Sequence, residues 1–216
     1  MTAPTAAPVR RAAGRPDRLV VDAAAVPAWV RRWCDRSRRA VATRPGDAVA
    51  VASATGDSVL VPRAEPMVAV RPRVVVALRS LPDDMSVLID ALDAATHLDG
   101  TLTVLHGVPL SFGERTVGRA EAVRNGQDLL EQARALLEGA DVAVEVGLVR
   151  AWPHEIVGEL LDADLLALGG PRIGSGGRVG LVAASALRHA PCAVLLAPRP
   201  AFRCLSHAPP FRRNER

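Results

Sequence analysis

At 216 residues and 22.7 kDa, with 49% apolar and 23% charged side chains, the chain has globular composition, enough for one domain with an appendage or two small domains. Its longest apolar runs, such as Val74 to Leu78, fall far short of the ~20 residues that cross a bilayer, and Met1 to Pro16 lacks the continuous apolar stretch of a secretory leader, so a cytoplasmic protein without a membrane partner is expected. The net charge of +4 is uneven: residues 1–67 carry 11 Arg against 6 acids, residues 68–200 carry 12 against 16, and residues 201–216 carry 4 against 1. The middle of the chain is therefore acidic, and with aromatics at 3% it offers neither the basic face nor the stacking platforms of a nucleic-acid binder. Lysine is absent, which excludes a P-loop with its phosphate-binding lysine. Cys34, Cys192 and Cys204 form no CxxC pair, so neither a disulfide framework nor a zinc site is encoded.

Residues 1–18 have no periodicity and read as disordered. Leu19-Val20-Val21 is a short apolar run. Pro27 opens a helix over about Ala28 to Ala42, with Trp29, Val30 and Trp33 on one stripe and arginines on the rest. Asp47 to Ala54 and Ser58 to Val61 read as two strands of a hairpin around Thr55-Gly56-Asp57. This extension, residues 1–67, holds too little apolar mass for its own core and is expected to lean on the rest of the chain or on a partner.

From residue 68 to 200 strands and helices alternate. Arg73 to Leu78 is a continuous β-branched run, as a strand buried on both faces requires. Pro82-Asp83-Asp84 opens a helix carrying Met85, Leu88, Ile89, Leu92 and Ala95 at helical spacing. A strand follows over Thr101 to His106, then a loop to Gly118 and a helix over Glu121 to Glu138, its start weakened by Asn125-Gly126. Asp141 to Val149 is a strand, Pro153 to Leu161 a short helix, and Asp164 to Leu168 a strand. Gly169 to Gly177 is a glycine-rich loop, Val179 to His189 a helix, and Cys192 to Ala197 the last strand; residues 201–216 form a basic disordered tail. Such alternation predicts an α/β fold, a parallel sheet with helices on both faces, whose ligands bind beyond the carboxyl ends of the strands.

Five segments of residues 73–197 resemble the universal stress protein family: VVVAL at 74–78, TLTVLHGVP at 101–109, AWPHEIV at 151–157, ADLLALGG at 163–170 and LRHAPCAVLLA at 187–197. The resemblance implies a five-stranded parallel sheet in the order 3-2-1-4-5, of the adenine-nucleotide alpha-hydrolase-like kind, and a homodimer joined through the last strand. The 47–62 hairpin is the alternative cover for that strand's edge. Many such proteins bind ATP or AMP through an Asp after the first strand, a backbone contact on the second, and a GxxGx9G[ST] phosphate loop. Here Leu78-Arg79 stand where the Asp belongs; the loop is about three residues short, and Leu181 replaces its hydroxyl residue. The expected function is a regulatory binding protein of the stress response, not an enzyme, with nucleotide bound weakly or not at all and an unidentified protein partner. The alternative is an ATP- or AMP-binding sensor or slow hydrolase with a remodelled loop.

The nucleotide-site candidates are Leu78, Arg79, His106, Gly169, Gly170, Arg172, Gly174, Ser175, Gly177 and Gly180. Glycines let backbone N–H groups turn inward around an anion, and arginine pairs phosphate bidentately. Asp83 and Asp84 read as helix caps or as displaced ligand partners, with Arg79 expected to ion-pair with one of them. His97, His154, His189 and His207 stand at no metal-ligand spacing, and Cys192 reads as a buried, inert thiol.

Overall fold

The computed structural model describes residues 18–63, 71–108, 116–149, 157 and 161–199. Eight strands and five helices follow in chain order among these residues: β1 (Arg18–Val21), α1 (Ala28–Ser37), β2 (Ala40–Thr43), α2 (Ala48–Thr55), β3 (Ser58–Val61), β4 (Arg73–Ala77), α3 (Met85–His97), β5 (Thr101–Gly107), α4 (Thr116–Leu136), β6 (Ala143–Val149), β7 (Leu165–Arg172), α5 (Leu181–His189) and β8 (Ala193–Arg199). The readings of residues 1–17, 201–216 and most of the 153–161 helix lie outside the described residues. The strands form one sheet in the order β2-β1-β3-β8-β7-β4-β5-β6. Every pair is parallel except β3 with β8. The sheet therefore has eight strands, not the expected five; the stretch from β4 to β8 runs β6-β5-β4-β7-β8 within it.

The three additional strands come from the N-terminal extension, which is a βαβαβ unit and not a helix with a hairpin. Two local readings change with it. The first helix stops at Ser37 because Arg38 turns left-handed (φ 54°) and the Arg39 N–H closes on the Cys34 carbonyl at 2.8 Å; residues 40–43 then become β2. Residues 48–55, whose alternating Ala and Val mimic a strand, form α2. Alanine is the strongest helix former, and Gly56 (φ 71°) ends the helix with its N–H on the Ala52 carbonyl. The small residues Ala48, Ala52 and Ser53 let α2 lie close over the sheet.

β8 is consequently not an edge strand. Val59, Leu60 and Val61 of β3 pair antiparallel with Leu196, Leu195 and Val194. The edge expected to receive a second subunit, or else the 47–62 segment, is covered by residues 58–61 of that segment, as a single strand and not as a hairpin.

Strand alternation sends side chains to two cores. Leu19, Val21, Leu60, Val74, Val76, Leu165 and Leu195 pack under α1, α3 and α4. Val20, Val59, Val75, Leu166, Val194 and Leu196 pack under α2 and α5. Both cores run unbroken from the extension into the rest of the sheet. Helix α4 passes straight through Gly126, where a Cβ would stand 2.6 Å from a Leu148 methyl and 2.8 Å from His106 Cδ2. The glycine that weakens the helix in sequence terms is what lets it rest on β5 and β6.

The seam between extension and main sheet is polar as well as apolar. Trp33, fully buried, donates its indole N–H to Asp93 Oδ2 at 2.9 Å. Arg39, also buried, lies 3.3 Å from Asp90 Oδ1 and donates to Ser58 Oγ at 2.7 Å, while Ser58 Oγ donates to Asp90 Oδ2. The Arg39 guanidinium sits 5.5 Å from the centre of the Trp33 ring. Arg63 donates to the Ala186 and Leu187 carbonyls at the last turn of α5.

Candidate functional site

Strand order reverses at β4, with β5 on one side and β7 on the other, and a cleft opens beyond their carboxyl ends. A cavity of about 300 Å³ lies there. Ala77, Leu78 and Arg79 line it from β4, Leu105, His106 and Gly107 from β5, and Leu168 and Gly169 from β7. Gly180 to Ala183 close it from the start of α5, and Arg199 from the end of β8. The walls are overwhelmingly aliphatic. Leu78, Arg79, His106, Gly169 and Gly180 are thus brought together around one cavity.

A second, wider hollow of about 520 Å³ lies across the glycine loop and shares Arg79, Gly180 and Arg199 with the first. It is lined by Arg79, Arg172, Arg178 and Arg199 and, among the described residues, by no carboxylate. Gly170, Gly174 and Ser175 belong here. The cleft therefore has an apolar chamber and an arginine-rich mouth.

The glycine stretch divides in a way the sequence reading did not anticipate. Gly169 and Gly170 continue β7 and do not open the loop: Gly169 pairs with Ala197, and Arg172 with Arg199 across an irregularity. A Cβ at Gly169 would lie 2.1 Å from the Arg199 guanidinium, and one at Gly170 2.9 Å from the Ala197 carbonyl oxygen. These two glycines admit Arg199 and a close strand neighbour. The loop proper begins beyond Arg172, where Gly174, Gly176 and Gly177 all have positive φ. Helix α2 grips it. The Gly174 N–H donates to the Ser53 carbonyl at 2.9 Å, Ser53 Oγ donates to the Arg172 carbonyl at 3.2 Å, and the Ser53 and Ser175 hydroxyls lie 3.3 Å apart. At least one loop amide that would face an anion is thus committed to the extension.

The sequence reads Asp84 as a helix cap or a displaced ligand partner. It occupies the N-cap position of α3, yet its carboxylate makes no cap bond. It is fully buried and accepts from the Arg79 and Ser80 N–H groups at 2.7 and 3.2 Å. Arg199 reaches its other oxygen through Nε at 2.9 Å and Nη2 at 2.8 Å. The pair ties the β4–α3 loop to the end of β8 and fixes the cleft rim. Arg79 faces Asp83 at 3.8 Å, with both side chains largely exposed, a contact of little energetic consequence. The His106 Nδ1 lies 2.9 Å from the Leu78 carbonyl oxygen. A carbonyl only accepts, so Nδ1 donates this hydrogen bond. Arg178, which the sequence offers beside Arg172 as a phosphate partner, lines the mouth; Arg199 is the residue that sequence reasoning misses, because only the β7–β8 register brings it there.

Among the described residues no three His, Cys, Asp or Glu side chains converge as a metal site would require, and no helix is long and apolar enough to cross a membrane. Burial pushes the Cys192 thiol up from 9.0 to about 11. The chain has no lysine and no tyrosine, so little besides thiols titrates between pH 9 and 11. Over that window the unfolded state releases a proton that folded Cys192 keeps. Stability contributed below pH 9 is therefore lost as pH rises, by roughly 1.4 kcal/mol per unit and roughly 3 kcal/mol in all. Urea unfolding at stepped pH is expected to show this decline, and Cys192→Ala to flatten it. An unchanged slope in the variant would assign the decline to another group.

A largely parallel sheet with helices on both faces and a glycine loop entering a helix beside the switch-point cleft defines an α/β protein. The chain belongs to the universal stress protein family, whose profile matches residues 71–198. Among solved structures, a universal stress protein family member from Burkholderia pseudomallei is similar at 22% identity and TM-score 0.50, over 60% of this chain and 98% of that one. A universal stress protein from Archaeoglobus fulgidus DSM 4304 is similar at 18% identity and TM-score 0.50, over 70% and 54%. Another from Archaeoglobus fulgidus, in complex with dAMP, is similar at 19% identity and TM-score 0.46, over 60% and 97%. At these identities the likeness is one of fold. No curated protein matches the chain.

Proposed function

We propose that this is a cytoplasmic, non-catalytic regulatory protein of the stress response whose cleft holds nucleotide weakly or not at all. The carrying observation is the state of the cleft's carboxylate. Asp84, the acid anchored beside the expected Asp position, is fully buried and satisfied by two backbone amides and Arg199. It has no oxygen left for a base, and the residues at the end of β4 are Leu78 and the cation Arg79.

Melting with and without ATP-Mg or AMP tests this. Ligand at 100 times its Kd would add ~2.7 kcal/mol, a shift of roughly 5–10 °C for a chain of this size. The expected shift at about 1 mM is under about 2 °C, because a ligand near its Kd adds only a few tenths of a kcal/mol. A shift of roughly 5 °C at about 10 µM ATP would overturn the proposal. It would favour a second reading, an ATP- or AMP-binding sensor or slow hydrolase, which the left-handed glycines and the arginines of the mouth support.

A further inference from the structure

The cleft joins two environments rarely adjacent by accident: an aliphatic chamber and a mouth lined by four guanidiniums and, among the described residues, no carboxylate. Arg199 is held by Asp84. Arg79 is exposed and touches Asp83 only at 3.8 Å, and Arg178 is exposed with its Nε 3.4 Å from the Ser175 carbonyl oxygen. The first amides of α5 open on the same rim, where a helix start favours negative charge. Leu181 stands at that start, 89% exposed, though it is a large aliphatic residue. It extends the apolar wall outward to the arginines, the position in which a ligand's chain would cover it.

We propose that the cleft binds an amphiphilic anion, a carboxylate or phosphate head on Arg79 and Arg178 with a single aliphatic chain in the chamber. A volume of about 300 Å³ takes about ten heavy atoms at roughly 30 Å³ each, so the chain is of medium length. Nucleotide fits this division poorly. The side chains that would face its base, Ala77, Leu105, Leu168 and Val182, offer the ring nitrogens and amino group no partner and leave that pairing to the backbone of Leu105 to Gly107. The inference rests on the reading that the cleft is not a tight nucleotide site.

The test is calorimetric titration of the full chain with decanoate and with monodecyl phosphate. Decanol serves as the neutral control, and acetate and inorganic phosphate as head-only controls. Both anions are expected to bind at least tenfold more tightly than decanol. Along the C4 to C12 carboxylates, affinity is expected to rise by up to about fourfold per methylene and to flatten near C10. Arg79→Ala and Arg178→Ala, both at exposed positions, are expected to weaken the anions about tenfold each and to leave decanol unchanged. Decanol binding as tightly as decanoate, acetate binding as tightly as decanoate, or a chain series with no length dependence would each overturn the proposal. Sedimentation with phosphatidylglycerol vesicles without binding of free decanoate would also overturn it, by making a lipid surface the recognised object. If decanoate and ATP are both silent, this inference fails alone; micromolar ATP binding removes the reading beneath it.

Discussion

Deleting residues 1–63 is expected to unfold this protein, not to release a free-standing domain. The extension contributes Leu19, Val21, Trp29, Val30, Trp33, Cys34 and Leu60 to the core under α1, α3 and α4, and Val20, Ala48, Ala52 and Val59 to the other. Large side chains among these, such as Trp33, Leu19 and Leu60, are fully buried, and burial of each is worth about 1.5–3 kcal/mol. Their combined loss exceeds the ~5–15 kcal/mol by which a typical domain is stable. Truncation also strips β8 of its β3 partner, exposing an apolar strand edge prone to association. Residues 71–200 expressed alone should aggregate or melt without cooperativity, and the intact chain should be monomeric by light scattering at tens of micromolar. A soluble, monomeric fragment with a sharp melt would refute this account. So would a dimer of the intact chain that Val194→Asp dissociates without unfolding it.

Much of the architecture from β4 to β8 was legible because its strands are buried on both faces and read as unbroken β-branched runs, such as Arg73 to Ala77. The cleft was legible for a related reason: in a doubly wound sheet, topology alone decides where loops converge. The extension was legible only in part. Ser58–Val61 reads as the strand it is, but β2 is four residues, too short for periodicity to separate strand from helix, and the Ala-Val alternation of α2 points the wrong way. Arg39 reads as one of five arginines on the polar side of a helix, yet it lies past the helix end and is buried. Asp84 and Arg199 are 115 positions apart, and no local pattern announces their pairing. Gly169 and Gly170 look like a phosphate loop because sequence does not distinguish a glycine that frees the backbone from one that makes room for a neighbour's side chain.

Asp90→Leu, or Arg39→Met, is expected to cost about 3–5 kcal/mol, more than most single changes elsewhere in the fold. The side chains are 8% and 0% exposed respectively, so removing either takes from the other, still buried, an opposite charge 3.3 Å away. The reason is desolvation more than attraction: a buried ion pair offsets the penalty of its own burial, and half of one does not. Replacing both, Arg39→Met with Asp90→Leu, should therefore cost less than the sum of the two single changes, by a coupling energy of about 1–3 kcal/mol between the sites. Ser58→Ala should cost about 1–2 kcal/mol, since Ser58 accepts from one partner and donates to the other. Chemical denaturation of the unmutated protein, the two single variants and the double closes the cycle. Additive single effects would mean that Arg39 and Asp90 are stabilised independently. Strong coupling would establish that the extension is held to the main sheet by a charge pair that neither half can bury alone, a seam that ties the grip of α2 on the glycine loop to the stability of the whole chain.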